Sequence, residues 1–265
     1  MTAPTLNEDR VRDISQDGHV LRVEPCPRWV RGEVNGQTVV DSKHVLLVIA
    51  DHRPPTYYFP REDILVSRLR ANDRVAHYPI LGDTKFWDLL SDGVVAENAA
   101  FEHYALPPEL SLLRDHLAFK WDVMDHWYEE DEEVFVHARN PYTRIDAIRS
   151  TRHVRVEVDG QTVADSRAPV LLFETGLPTR YYLPKEDVQM DRLKPTETHT
   201  SCPYKGTASY WSLVVDGKAY PDFVWSYPDP IPEAGKVKGM FCFYNEKSDI
   251  YVDGELQPRP QTPWS

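Results

Sequence analysis

The sequence predicts a mainly β chain (β-rich α+β): two tandem, similar small β domains with short helices. Three observations lead there: an internal repeat, a hydrophobic period of two within each copy, and turn dipeptides between the alternating runs. Gln37-Thr38-Val39-Val40-Asp41-Ser42 returns as Gln161-Thr162-Val163-Ala164-Asp165-Ser166. Tyr57-Tyr58-Phe59-Pro60-Arg61-Glu62-Asp63 returns as Tyr181-Tyr182-Leu183-Pro184-Lys185-Glu186-Asp187. The separation is constant (161 − 37 = 124 and 233 − 109 = 124), so the duplication runs without a gap over about a hundred residues. The organisation that follows is a loose polar arm at 1–20, a first copy at 21–140, a second at 141–256 and a proline-rich tail at 257–265. Residues kept in both copies serve the fold; residues found in one copy are where a site is sought.

Within copy two, Val154-Arg155-Val156-Glu157-Val158 alternates apolar and polar, as a half-buried strand does. Asp159-Gly160 is a hairpin signal, and Thr162 to Ser166 forms the return strand. Val170 to Phe173 and Arg180 to Leu183 are short buried strands. Pro184-Lys185-Glu186-Asp187 follows as one helical turn, with Pro at the first position and acids near the N-terminus. Ser209 to Val215 with Asp216-Gly217 gives a second hairpin. A short helix starts at Pro230-Ile231-Pro232, and strands at Met240 to Tyr244 and Ile250 to Val252 close the copy. The matching helix of copy one is expected to be longer, Pro108 to Leu117. Asp41-Ser42 and Asp165-Ser166 read as turns bonding their own backbone.

With 265 residues, each copy can bury a core without disulfide or metal. The net charge of −12 repels phosphate backbones, so no nucleic-acid partner is expected. Cys26, Cys202 and Cys242 form no CxxC pair, which argues against a disulfide framework and a four-cysteine zinc site. No metal or redox cofactor is expected. The start lacks a secretory signal, and no run reaches the roughly 20 apolar residues of a membrane helix. The chain therefore reads as cytoplasmic, with no membrane partner.

Copy two carries Arg180-Tyr181-Tyr182-Leu183-Pro184-Lys185-Glu186-Asp187-Val188, then Cys202-Pro203-Tyr204-Lys205-Gly206-Thr207-Ala208-Ser209-Tyr210-Trp211, then Trp225-Ser226-Tyr227-Pro228-Asp229-Pro230. Together these resemble the DUF427 family, a bacterial and fungal domain of unassigned function. The tandem arrangement looks like its two-domain members. The resemblance implies a small β domain of tent-like shape and hands over no mechanism. Copy one departs from the pattern, holding Tyr78 and Leu81 where copy two holds Cys202 and Lys205. Members are sometimes labelled nucleotidyltransferases; the Gly-Ser loop with an Asp-x-Asp metal pair which that label implies is not in this sequence.

Three groups are candidates for chemistry. Cys202, Tyr204 and Lys205 form a cluster absent from the matching loop of copy one, which holds Tyr78, Ile80 and Leu81; a thiol beside a lysine could act as a nucleophile, and the plainer reading is a small buried thiol and a surface lysine. The junction offers Arg144 and His153, with Arg180 beyond, as clamps for an anion; the plainer reading is a salt-bridge network. Tyr181, Tyr182, Trp211, Trp225 and Tyr227 could line a pocket for a flat ligand, or serve as core. Among them only Tyr227, matched by His103, differs in kind between copies. The leading expectation is an internal pseudo-dimer that binds a small polar or aromatic metabolite in a pocket of copy two, near the junction. Tyr204, Lys205, Cys202 and Tyr182 are then the catalytic candidates if a reaction occurs. The rival expectation is a non-catalytic protein-interaction module.

Overall fold

The structure is a computed structural model that describes residues 11–16, 19–51, 53–91 and 93–265; most of the expected polar arm, residues 1–10 with 17 and 18, lies outside them. The chain divides into two compact units, Met1–Asn140 and Pro141–Ser265. Among the described residues each unit is built from a large and a small antiparallel sheet, with helical structure confined to 3-10 turns.

In unit 1 the strands are β1 (Arg12–Gln16), β2 (His19–Pro25), β3 (Val30–Val34), β4 (Gln37–Ser42), β5 (Leu46–Ala50) and β6 (Thr56–Pro60). They continue with β7 (Leu69–Tyr78), β8 (Gly82–Ser91), β9 (Val94–His103), β10 (His116–Phe119), β11 (His126–Glu129) and β12 (Glu132–Glu133). The large sheet runs β1-β2-β5-β6-β10-β9-β8-β7 and the small one β12-β11-β3-β4. Unit 2 repeats the plan with β13 (Ile145–Arg149), β14 (Val154–Val158), β15 (Gln161–Ser166), β16 (Val170–Glu174), β17 (Arg180–Leu183) and β18 (Leu193–Cys202). Then come β19 (Gly206–Val215), β20 (Lys218–Ser226), β21 (Phe241–Phe243), β22 (Asp249–Val252) and β23 (Glu255–Leu256). Its sheets run β13-β16-β17-β21-β20-β19-β18 and β15-β14-β22-β23.

The alternation seen in the sequence decides which face is buried. Val154, Val156 and Val158 of β14 are buried and meet Leu183, Phe223 and Phe243 of the large sheet. The opposite face of that sheet carries Leu172, Tyr182, Trp225 and Cys242 and is covered by Ala234 and Val237 of the 3-10 turn Pro232–Val237. Both faces of the large sheet are thus buried, so consecutive tyrosines on β17 serve different cores. Hairpins close where Asp-Gly pairs predict them. Asp159 and Gly160 have φ 49° and 75°, and Asp216 and Gly217 have 48° and 81°, the two positive values that a type I′ turn needs.

Two expectations are corrected. The segment Pro108 to Leu117 is not the longer helix: it is a 3-10 turn, Pro108–Leu113, of the same six residues as Pro232–Val237. The three-residue period of a 3-10 turn is what brings Leu110 and Leu113 onto one fully buried line, and Asp115 with φ 61° then turns the chain into β10. The arm at 1–20 is not loose throughout, since Arg12–Gln16 pairs along β2 as the edge of the large sheet.

The Asp-Ser turns do bond their own backbone: Ser42 Oγ accepts from His44 N and Ser166 Oγ from Ala168 N, both at 3.0 Å. They also do more. Ser42 Oγ donates to Asp63 and Ser166 Oγ donates to Asp187, each at 2.6 Å and each across 21 residues. Beside them Leu65 N donates to Val39 O at 2.8 Å and Gln189 N to Val163 O at 2.9 Å. These bonds tie the small sheet to the 3-10 turn that leaves β6 or β17. A buried hydroxyl donating to a carboxylate contributes about 1.5–3 kcal/mol. Ser166→Ala is therefore expected to lower the urea midpoint of unit 2 markedly, with Ser42→Ala doing the same for unit 1. Hydrogen exchange on β14 and β15, or on β3 and β4, is the check; unchanged protection would remove the clasp from the account.

Candidate functional site

The structure sorts the residues singled out by sequence into separate groups and not into one pocket. Cys202, Tyr204 and Lys205 occupy the tight turn between β18 and β19, where Lys205 N donates to Cys202 O at 3.3 Å. Gly206 has φ 96°, and a Cβ there would meet Asp229 O at 3.2 Å, so the turn needs glycine. Lys205 Nζ is largely buried in an ion pair with Glu174. Cys202 and Tyr204 are half-buried.

Tyr182, Trp225 and Tyr227 belong to the core on one face of the large sheet. Trp225 Nε1 donates to Tyr182 Oη at 3.1 Å, and burial holds the Tyr182 and Tyr227 phenols well above their usual pKa. Burial likewise pushes the Cys242 thiol, beside them, up to about 12. Tyr181 and Trp211 pack against the core on the other face. Alternation along the strands forbids these rings from lining one pocket.

The cations are also spoken for. Arg180 forms a two-pronged pair with Glu246, both bonds 2.7 Å, between the rings of Trp225 and Trp264. Burial works to raise the Glu246 carboxyl, but the Arg180 fork and the Thr262 hydroxyl outweigh it and hold it at about 2. Arg144 pairs with Asp146 at 2.8 Å, and His153 with Asp165 at 2.7 Å. None of these side chains lines either of the two cavities described here and below.

One of those cavities is a groove of about 820 Å³ in unit 2. The antiparallel register Arg149↔Val170↔Tyr182↔Cys242 makes β13, β16, β17 and β21 neighbours, so four connections converge at one end of the sheet. The groove lies there. Five cations line it: Arg149 at the end of β13, Arg167 before β16, Lys185 after β17, and Lys236 and Lys238 before β21. Glu186 is the one acid in its wall. Lys236 Nζ donates to Ala147 O at 3.0 Å and Lys238 pairs with Asp229 at 2.9 Å on the surface. Arg149, Arg167 and Lys185 are exposed and form no ion pair among the described residues.

The matching positions of unit 1 are Pro25, Lys43, Arg61, Leu112 and Arg114. There Arg61 pairs with Glu102 at 2.9 Å and stacks on Trp87, and Lys43 lies over Trp29. Ser226 takes the place of Glu102 in unit 2, so Lys185 has no such acid. This difference was present in the aligned copies; the signal was the gain of Arg149 and Lys236 and the loss of one carboxylate, spread over three segments.

With fold and groove in view, the chain belongs to the family described as a domain of unknown function, DUF427, matched twice at residues 22–130 and 146–254. No curated protein matches the chain. Among the described residues no group of His, Cys, Asp and Glu could hold a metal ion, and no helix is long and apolar enough to cross a membrane.

His103 and its counterpart Tyr227 are both buried polar members of otherwise apolar surroundings. His103 is held by Tyr58 Oη at 2.8 Å and Thr84 Oγ1 at 2.6 Å, and burial lowers its pKa to about 4. The unfolded value is about 6.5. A depressed imidazole pKa means that stability is complete above the unfolded value and is lost as pH falls from about 6.5 towards 4. The protection factors of the β9 amides, corrected for the intrinsic slowing of exchange in acid, are therefore expected to fall between pH 7 and pH 5, and His103→Tyr is expected to flatten that dependence. An equal pH response in the variant would contradict it.

Proposed function

We propose that this DUF427 protein binds a small anionic metabolite, bearing phosphate or several carboxylates, in the groove of its second copy. The observation that carries the reading is the convergence of Arg149, Arg167, Lys185, Lys236 and Lys238 on one groove, in a chain whose net charge is −12. Cations that repel one another are gathered at one place while acids prevail elsewhere. A bound anion is the simplest counter-charge. Its volume is that of a small-molecule site rather than of a track for a polymer. The overall negative charge works against nucleic acid as the ligand. Arginine offers two-pronged bonds to phosphate or carboxylate and lysine a mobile point charge, so the set suits a ligand with two or more anionic groups. The reading is one of binding, in the cytoplasm; the turn at Cys202–Lys205, with its lysine neutralised by Glu174, supports the scaffold.

A second reading, a protein-interaction module, draws on one observation. Ile148, Phe173 and Leu177 are exposed at or beside the free β13 edge of the seven-stranded sheet.

Titration calorimetry with pyrophosphate at low salt tests the first reading. Saturable binding is expected, and Arg167→Ala or Lys185→Ala should each weaken it roughly tenfold. Raising the salt should weaken it further. Lys43→Ala, the copy-one counterpart, should leave it unchanged. Absence of binding, or full affinity in an Arg167→Ala/Lys185→Ala double variant, would refute the proposal.

A further inference from the structure

The first copy contains a different cavity, of about 300 Å³. Its buried wall is aromatic: Tyr57 of β6, Phe119 of β10, Trp127 of β11 and the half-buried Trp121 between them. Trp121 and Trp127 stack with centroids 5.2 Å apart, and Tyr57 lies 6.3 and 6.0 Å from them. The polar ends of Trp127 and Tyr57 are tied away inside the unit. Trp127 Nε1 donates to Trp121 O at 2.9 Å. Tyr57 Oη donates to the buried Glu129, which Arg28 also binds through both oxygens at 2.9 and 3.0 Å. Burial and the Glu129 charge raise the Tyr57 pKa far above its usual value, so the phenol keeps its proton. With their donors bonded internally, Tyr57 and Trp127 offer the cavity carbon surface, as Phe119 does.

The mouth is different. Arg53, Val136 and His137 stand there, with Arg53 and Val136 exposed. Val136 has φ 72°, a region that a β-branched residue almost never occupies. His137 N donates to Phe135 O at 2.8 Å, closing a three-residue γ-turn of the rare, strained form around Val136. Val134 N donates to Trp127 O at 2.8 Å, so the loop is pinned to β11 immediately before the strained tip. Such a conformation is unfavourable and persists where the surrounding structure over-determines it. Its effect here is to present Val136 as the lip of an aromatic cavity.

Copy two has no equivalent. Asn245 and Tyr251 stand at the positions of Trp121 and Trp127, and Arg180 replaces Thr56 and carries its pair with Glu246. The aromatic wall is therefore specific to the first copy and not a requirement of the shared frame.

We propose that this cavity is a second ligand site, which takes a planar aromatic molecule bearing a carboxylate. Stacked rings favour a flat ligand over an alkyl chain, since offset and edge contacts add to the area buried. Glu129 is already matched by Arg28, so it attracts no further cation, whereas Arg53 at the mouth has no ion-pair partner among the described residues and suits a carboxylate.

The probes are indole-3-acetate and indole, followed by saturation-transfer NMR and calorimetry on the full chain. Indole-3-acetate is expected to bind saturably and more tightly than indole. Trp121→Ala should weaken both by roughly tenfold or more, the loss typical of an aromatic anchor. Arg53→Ala, an exposed change that spares the fold, should weaken indole-3-acetate and leave indole unchanged. Val136→Gly should weaken both while raising the melting temperature, because glycine relieves the turn. Failure of both probes to bind, or wild-type affinity in Trp121→Ala or for indole-3-acetate in Arg53→Ala, would overturn the site.

Discussion

The Ser–Asp clasp is the constraint on which each unit depends. A small sheet can bury only one face, and its partner here is a large sheet whose second face is already covered by a 3-10 turn. Apolar contact alone would let the small sheet slide. Ser42 with Asp63, and Ser166 with Asp187, fix it at one corner by a directional bond to a charge, and a backbone bond beside each completes the seam. This explains why Asp-Ser and Glu-Asp recur together 124 positions apart (165 − 41 = 124 and 187 − 63 = 124). They are two halves of one contact.

Once the frame is held, the surface at either end of the sheets can change without affecting the fold, and the two copies have used that freedom differently. In the first, the cations near the β5–β6 end are consumed locally: Arg61 by Glu102 and Trp87, Lys43 by Trp29. Its distinctive feature is the aromatic wall of Trp121 and Trp127. In the second, Ser226 stands in place of that acid, two further cations appear, and the charges face a groove. Arg180 and Glu246 meanwhile fill the region that the first copy leaves to rings. The two binding proposals rest on these exchanges.

The strands, the hairpins and the duplication were legible in the sequence because they rest on local signals: alternation at Val154 to Val158, and Asp-Gly pairs with positive φ. The single helical turn at Lys185–Asp187 was legible too, but the length of the copy-one turn was not, since Pro108 to Leu117 satisfies the composition of an α-helix and only packing of Leu110 and Leu113 selects the tighter period. Candidate sites were the least legible. Cys202 and Lys205 drew notice by standing close in sequence, yet Lys205 spends its charge on Glu174, 31 residues away. The groove cations come from four separate segments, and only antiparallel register brings their connections together. The strained Val136 carries no sequence signal at all.

The central claim is that a common clasped frame carries different sites in its two copies. The most direct measurement is a transverse-relaxation-optimised NMR titration of the full chain with pyrophosphate. The account predicts amide shifts confined to the connections holding Arg149, Arg167, Lys185 and Lys236, with none at Pro25's neighbours, Lys43, Arg61 or Leu112. Shifts of equal size at the matching positions of both copies, or shifts confined to the first, would contradict it.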